Sequence, residues 1–329
     1  MNEATHERTL ALPGGRTLAY ASAGNASSTT VLLFLHGSFT VGETETSRIS
    51  RTLASKNIHH ICPTLPGWGN TSPALPSTPY VDCLTSDMTA LLDHLYPEHG
   101  RDIKLYVSGA SFGTVPVQML YGASYDKFPY GRCIVGILLM AALTPFRYHK
   151  DYAKHTTWAG YFMVGPITQW FLFKRIHAHL ATFTMASKLS TVDKAEKYLR
   201  GSLFDKMDEE EREVYTQWRA REGIAEGETE RRFATNVVRS IAKSWEGFKL
   251  VNPVLHSDWG FRPDALDEEH SRPLVMFVTS SGDKLTPEKW TQYLAASYKN
   301  TKVKALHGEH ISALYRMDDV WAEFLDGVE

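Results

Sequence analysis

Leu105-Tyr106-Val107-Ser108-Gly109-Ala110-Ser111-Phe112-Gly113-Thr114-Val115 is the stretch on which the fold turns. An apolar run leads into Gly-x-Ser-x-Gly, and a helix-forming segment follows. The spacing predicts a strand over Ile103 to Ser108, a sharp turn at Ser111 and a helix from Phe112 to about Ser124. A turn this tight needs small residues where strand and helix approach each other. It lifts the serine hydroxyl off the end of a sheet. The serine then also lies at a helix amino terminus, whose free N–H groups and dipole favour developing negative charge. The plainer reading is a strand-to-helix turn with Ser111 as a helix cap, and the motif alone leaves both open.

The pattern repeats outward from this stretch. Val31 to His36 is a nearly continuous apolar run, the mark of a strand buried on both faces of a parallel sheet. A helical stretch, about Thr46 to Lys56, precedes a strand at Ile58 to Cys62, and a helix covers Val81 to Leu95. Cys133 to Met140 reads as a further strand. Late in the chain, Pro273 to Thr279 and Thr301 to Leu306 read as strands, with helices at Pro287 to Tyr298 and Ile311 to Leu325. A hairpin, Arg8 to Leu12 and Arg16 to Ala21 about Pro13-Gly14-Gly15, opens the chain. Strands alternating with helices predict an α/β fold: a mostly parallel central sheet flanked by helices.

Between these blocks, Phe146 to Ser271 has no strand pattern. It is aromatic first (Tyr152, Trp158, Tyr161, Phe162, Trp170, Phe171, Phe173) and charged later, with the acidic run Asp208 to Glu213. It reads as a helical insertion, and the acidic run as a solvated helix face. The expected division is a core of residues 1–145 and 272–329 and a helical unit of residues 146–271.

A serine hydroxyl is a poor nucleophile near neutral pH and needs a base and an orienting carboxylate. Asp283, in Ser281-Gly282-Asp283-Lys284, follows a predicted strand, although Gly-Asp is also ordinary turn chemistry. His310 follows the next strand through His307-Gly308-Glu309. The chain has 14 histidines, and His307 competes from three residues away. His310 is preferred because it lies past the glycine, where a loop can swing it over Ser111.

With these residues in place, the sequence resembles the α/β-hydrolase superfamily. Gly109 to Gly113, Asp283 and His310 match its nucleophile, acid and base in kind and order. His36-Gly37-Ser38 resembles the family's oxyanion loop, and Pro63 to Ser72 its Pro-Gly-x-Gly-x-Ser loop. The resemblance implies an oxyanion hole built from the N–H groups of Phe112 and Ser38, less readily Phe39, with His36 tying loops together. It implies that the insertion after the sixth strand is a cap; Trp158, Phe162, Trp170 or Phe171, with Phe39, would line its pocket, or else the insertion's aromatics form the cap's own core. Related haloalkane dehalogenases and epoxide hydrolases carry Asp where this chain has Ser111, so those activities are not expected.

The expected activity is cleavage of an apolar, moderately large ester or lactone through an acyl-enzyme on Ser111. Acyl transfer, carbon–carbon bond hydrolysis and a non-hydrolytic ligand receptor on the same fold are the alternatives. A small-molecule substrate is the expected partner. The formal charge of -2 gives no footprint for nucleic acid. A membrane-touching cap, with Trp158 to Phe173 edged by Lys174 and Arg175, is the weaker alternative reading of the aromatic stretch. A monomer or homodimer is expected. No dinucleotide fingerprint, Walker pattern or ligand-spaced His/Cys cluster is present, so neither a cofactor nor a metal is expected. Cys62, Cys83 and Cys133 read as free thiols, and without an apolar leader the expected location is the cytoplasm.

Overall fold

The computed structural model describes residues 7–44, 49–98, 102–169 and 171–328, with the backbone alone for 171–178. Eight strands form one sheet: β1 (Arg8–Leu12), β2 (Arg16–Gly24), β3 (Thr30–Leu35), β4 (His59–Pro63), β5 (Lys104–Ala110), β6 (Ile134–Met140), β7 (Leu274–Ser280) and β8 (Thr301–Leu306). Their order is β1-β2-β4-β3-β5-β6-β7-β8. β1 pairs antiparallel with β2, and β2 with β4; every other pairing is parallel.

The continuous apolar runs are explained by burial on both faces. Val31, Leu33 and Leu35 of β3 join Leu105 and Val107 of β5 in one core, while Leu32 and Tyr106 point into a second core on the other face. The first core is closed by α2 (Tyr80–Leu95), α3 (Thr114–Gly122) and α10 (Glu288–Ser297). The second is closed by α1 (Arg51–Ser55) and α11 (Met317–Asp326), through Leu53, Val320, Trp321 and Phe324. β8 lies at the sheet edge, and Lys302 and Val303 are exposed there. One buried ion pair pins the amino-terminal hairpin to α2: Arg16 grips Asp87 with two bonds of 2.6 and 2.7 Å.

Between β6 and β7 the described chain is helical: α4 (Trp158–Val164), α5 (Phe171–Leu189), α6 (Val192–Leu199), α7 (Glu209–Glu222), α8 (Glu228–Ile241) and α9 (Glu246–His256). Two predicted helices start later than the sequence suggested. α1 begins at Arg51, with residues 46–48 of the expected stretch outside the described part. The closing helix begins at Met317, because residues 311–316 turn instead: Leu314 N–H donates to Ile311 and Arg316 N–H to Ala313. No helix among the described residues is long and apolar enough to cross a membrane.

Candidate active site

The chain leaves β3 toward one side of the sheet and β5 toward the other, so the loops after these adjacent strands flank a topological switch point. Such crevices at the carboxyl ends of strands are where open α/β sheets bind ligands. Ser111 sits there, at the end of β5 and the start of a single 3-10 turn, Ser111–Gly113. Its φ of +52° lies in the left-handed region, a strain of about 1–3 kcal/mol for a residue with a Cβ. The two glycines are required by close approach. A Cβ on Gly109 would fall 2.5 Å from Gly113 O, and one on Gly113 would fall 2.0 Å from Leu35 O. Behind the turn, Thr114 Oγ1 donates to Ser111 O (2.7 Å) and accepts from Leu143 N–H (3.0 Å), which locks the start of α3 to the exit of β6.

The loop after β3 lies against this turn: a Cβ on Gly37 would be 3.2 Å from Ala110 O and 3.5 Å from Ser111 Cβ. Ser38 follows directly and is partly exposed. Phe112 points the other way, into the core, and leaves its N–H at the helix start, where no intrahelical partner exists. His36 is buried and ties loops together. Its Nε2 accepts from Leu65 N–H (2.9 Å) and its Nδ1 lies 2.7 Å from Gly37 O. Burial pushes the imidazole down to about 4, partly offset by the Gly37 carbonyl, so it is neutral near pH 7.

Asp283 and His310 meet beyond the ends of β7 and β8. Asp283 Oδ2 is 2.7 Å from His310 Nδ1. Its Oδ1 accepts from the N–H groups of Leu285 (2.8 Å) and Thr286 (3.0 Å), and Oδ2 also takes the Thr286 hydroxyl. Burial pushes the Asp283 carboxyl up, but His310 and the Thr286 hydroxyl and N–H outweigh it, and the acid titrates below the ordinary aspartate range. The competitor His307 is turned away: its Nε2 pairs with Asp208 at 2.8 Å. No hydrogen bond joins Ser111 Oγ to His310 among the described residues. Such bonds commonly tighten only when substrate binds.

Two expectations about the insertion need correction. Trp158 is 81% exposed and Phe162 51%, so neither lines an enclosed pocket and neither forms a core. α4 is anchored at its far end instead, where Val164 O accepts from His256 Nε2 (2.8 Å) and from the Tyr152 hydroxyl (3.3 Å). Trp170 lies outside the described residues, as does the side chain of Phe171. Second, the acidic run is not all solvated, because Glu211 is fully buried. Phe39 is part of the loop after β3, and its partners were not anticipated. Its ring packs on Trp68 (5.6 Å), Trp245 (6.2 Å) and Phe248 (4.8 Å), the last two from the start of α9. A recognisable signal for this contact was Gly247 between those two aromatics, since a Cβ there would fall 2.4 Å from the Trp68 ring.

The insertion grips the site's loops by hydrogen bonds as well. Val41 N–H donates to Asn236 Oδ1 of α8 (2.7 Å), Gly69 N–H to Ser240 O (2.8 Å) and Gly247 N–H to Gly67 O (2.9 Å). Among the described residues, no group of three or more His, Cys, Asp and Glu side chains is placed to hold a metal ion.

Comparison with known proteins agrees with this architecture. A hydrolase from Pseudomonas aeruginosa is similar at a TM-score of 0.59 and 15% identity, over 98% of each chain. A carboxylesterase from Nitrososphaera gargenis is similar at 0.60 and 17%, again over 98% of each. A bromoperoxidase from Bacillus anthracis is similar at 0.59 and 13%, over 97% of this chain and 99% of its own. At these identities the likeness is one of fold. No curated protein matches by sequence. The model of the Alpha/beta hydrolase family, however, matches residues 32–324, the sheet from β3 onward together with the insertion, and the chain belongs to that family.

Proposed function

We propose that the chain is a serine hydrolase that cleaves carboxylic esters or lactones through an acyl-enzyme on Ser111. The observation that carries this reading is the 2.7 Å pairing of His310 Nδ1 with a buried, ionised Asp283, at the same sheet edge as the strained Ser111 turn. Asp283 fixes the tautomer in which Nδ1 keeps its proton and Nε2 is the free base. Nε2 removes the Ser111 hydroxyl proton as Oγ attacks the carbonyl carbon. The carbonyl oxygen becomes an oxyanion, met by the N–H groups of Phe112 and Ser38. Collapse of the tetrahedral intermediate breaks the ester bond, and the His310 imidazolium gives its proton to the leaving alkoxide. A water deprotonated by the same nitrogen then releases the acid and regenerates Ser111.

The aromatic wall of Phe39, Trp245 and Phe248 supports an apolar group on the substrate, since ligand sites are mostly apolar and aromatic. One of the similar structures is a carboxylesterase, which agrees with the bond class without fixing it. The test is turnover of aryl and alkyl esters of increasing size by the purified protein and by Ser111→Ala. The variant is expected to lose turnover by at least about 10³-fold while keeping its circular dichroism spectrum. Retained turnover in the variant would remove Ser111 from the reaction.

A further inference from the structure

The helical insertion reaches the base as well as the oxyanion loop. α7 begins with Asp208 as its cap, whose Oδ1 accepts from Glu211 N–H at 2.9 Å and whose Oδ2 meets His307 Nε2 at 2.8 Å. One turn on, Glu211 Oε1 accepts from Glu309 N–H at 2.9 Å and from the buried Tyr315 hydroxyl. The two acidic residues of one helical turn thus hold His307 and Glu309, on either side of Gly308. Gly308 has φ +124°, and a Cβ there would sit 2.4 Å from Glu211 Oε1. On the opposite side the same loop is tied to the acid's loop. Gly282 N–H donates to Gly308 O at 2.8 Å, and the Ser280 and Ser312 hydroxyls meet at 2.6 Å. His310 is the next residue after Glu309.

A fully buried carboxylate is a poor way to glue a helix to a core. Removing the charge from water carries a desolvation penalty, and apolar side chains would bury the same surface without it. Here Oε2 has no hydrogen-bond partner, so the carboxylate's hydrogen bonding runs through Oε1 alone, held between the Tyr315 hydroxyl and the Glu309 N–H. What Oε1 supplies is direction: an acceptor oxygen set by the Tyr315 hydroxyl and aimed at the Glu309 N–H.

We propose that Glu211 is a positioning residue for His310. Its carboxylate fixes the Glu309 peptide, and with it the direction in which His310 leaves the loop, so that seating α7 on the core and aligning the base are one event. This inference rests on the proposed role of Ser111 and His310. Glu211 touches no reacting atom. Its loss is therefore expected to slow the chemical step and leave ground-state binding alone.

The experiment measures the rate of Ser111 labelling by a fluorophosphonate, together with kcat and KM for a small ester, in the wild type, Glu211→Gln, Glu211→Asp and Glu211→Ala. Gln keeps an oxygen at the acceptor position, whereas Asp keeps the charge and withdraws the oxygen by one methylene. Misplacement of a base on the order of 1 Å is expected to cost roughly 10- to 100-fold in labelling rate and kcat for Asp and Ala, with KM within about twofold. Gln is expected to stay within about threefold of the wild type, because acceptor position and not charge is what it preserves. A folded Glu211→Asp protein that labels at the wild-type rate overturns the proposal, as does a Gln variant as slow as Ala. If Glu211→Ala does not fold, Glu211→Asp decides. No labelling of the wild type would sink the reading of Ser111 itself, and this inference with it; normal labelling of both the wild type and Glu211→Asp sinks the inference alone.

Discussion

Histidine chemistry separates the residues of this protein most clearly. His310 reaches a buried aspartate through Nδ1, at 2.7 Å. His36, His59 and His60 are instead held neutral: burial pushes each down to about 4, opposed at His36 by the Gly37 carbonyl and reinforced at His59 by Arg8 and at His60 by the adjoining His59 imidazole, which disfavours a second proton. Their unfolded counterparts take up a proton near pH 6.5. Between about pH 6.5 and 4 the unfolded chain therefore binds more protons than the folded one, and stability falls as the pH falls through that window. The loss at pH 5 relative to pH 7 is expected to be a few kcal/mol, on the order of one to two per histidine. Urea unfolding at the two pH values checks this. An unchanged midpoint would mean that these histidines ionise in the folded protein or that other groups offset them.

At the scale of elements, the sheet was legible because its physics is local. A strand buried on both faces must be apolar at every position, and Val31 to Leu35 and Leu105 to Val107 are. The Ser111 turn was legible because Gly109 and Gly113 answer a steric demand that sequence spacing exposes. The insertion was less legible, since a helix's inner face is set by what it packs on. In α7, Glu209, Glu210 and Glu213 face solvent while Glu211, Tyr215 and Trp218 share the inner side. Glu211 precedes Tyr215 by four residues, so helical spacing did carry the signal, masked by the charge of the residue. Trp158 misled for the converse reason, because an exposed aromatic and a pocket aromatic look the same in sequence. The Arg16–Asp87 pair is another element-scale tie that composition hides. Its Asp87 is almost fully buried, and the two bonds raise the Arg16 guanidinium above its ordinary value. Asp87→Ala leaves that cation unpaired, with an expected loss of about 3–5 kcal/mol in denaturant unfolding. A loss under about 1 kcal/mol would show that the ion pair contributes little to holding the hairpin.

Across the whole molecule, the family frame and the insertion do different work. The sheet brings the ends of β3, β5, β7 and β8 to one edge, which gathers Ser38, Ser111, Asp283 and His310 from distant parts of the chain. The insertion then bonds to the loops after β3, β4 and β8 through Asn236, Ser240, Gly247 and Glu211. These loops are thus carried by the sheet and bonded to helices whose own sequence betrays little of that role. The most direct test of the proposed chemistry is exposure of the folded protein to a fluorophosphonate, followed by intact-mass and peptide mass spectrometry. A single adduct on Ser111, lost in His310→Ala, is the expected result and establishes a serine activated by that histidine. No adduct on Ser111, or one that persists undiminished in His310→Ala, would contradict it.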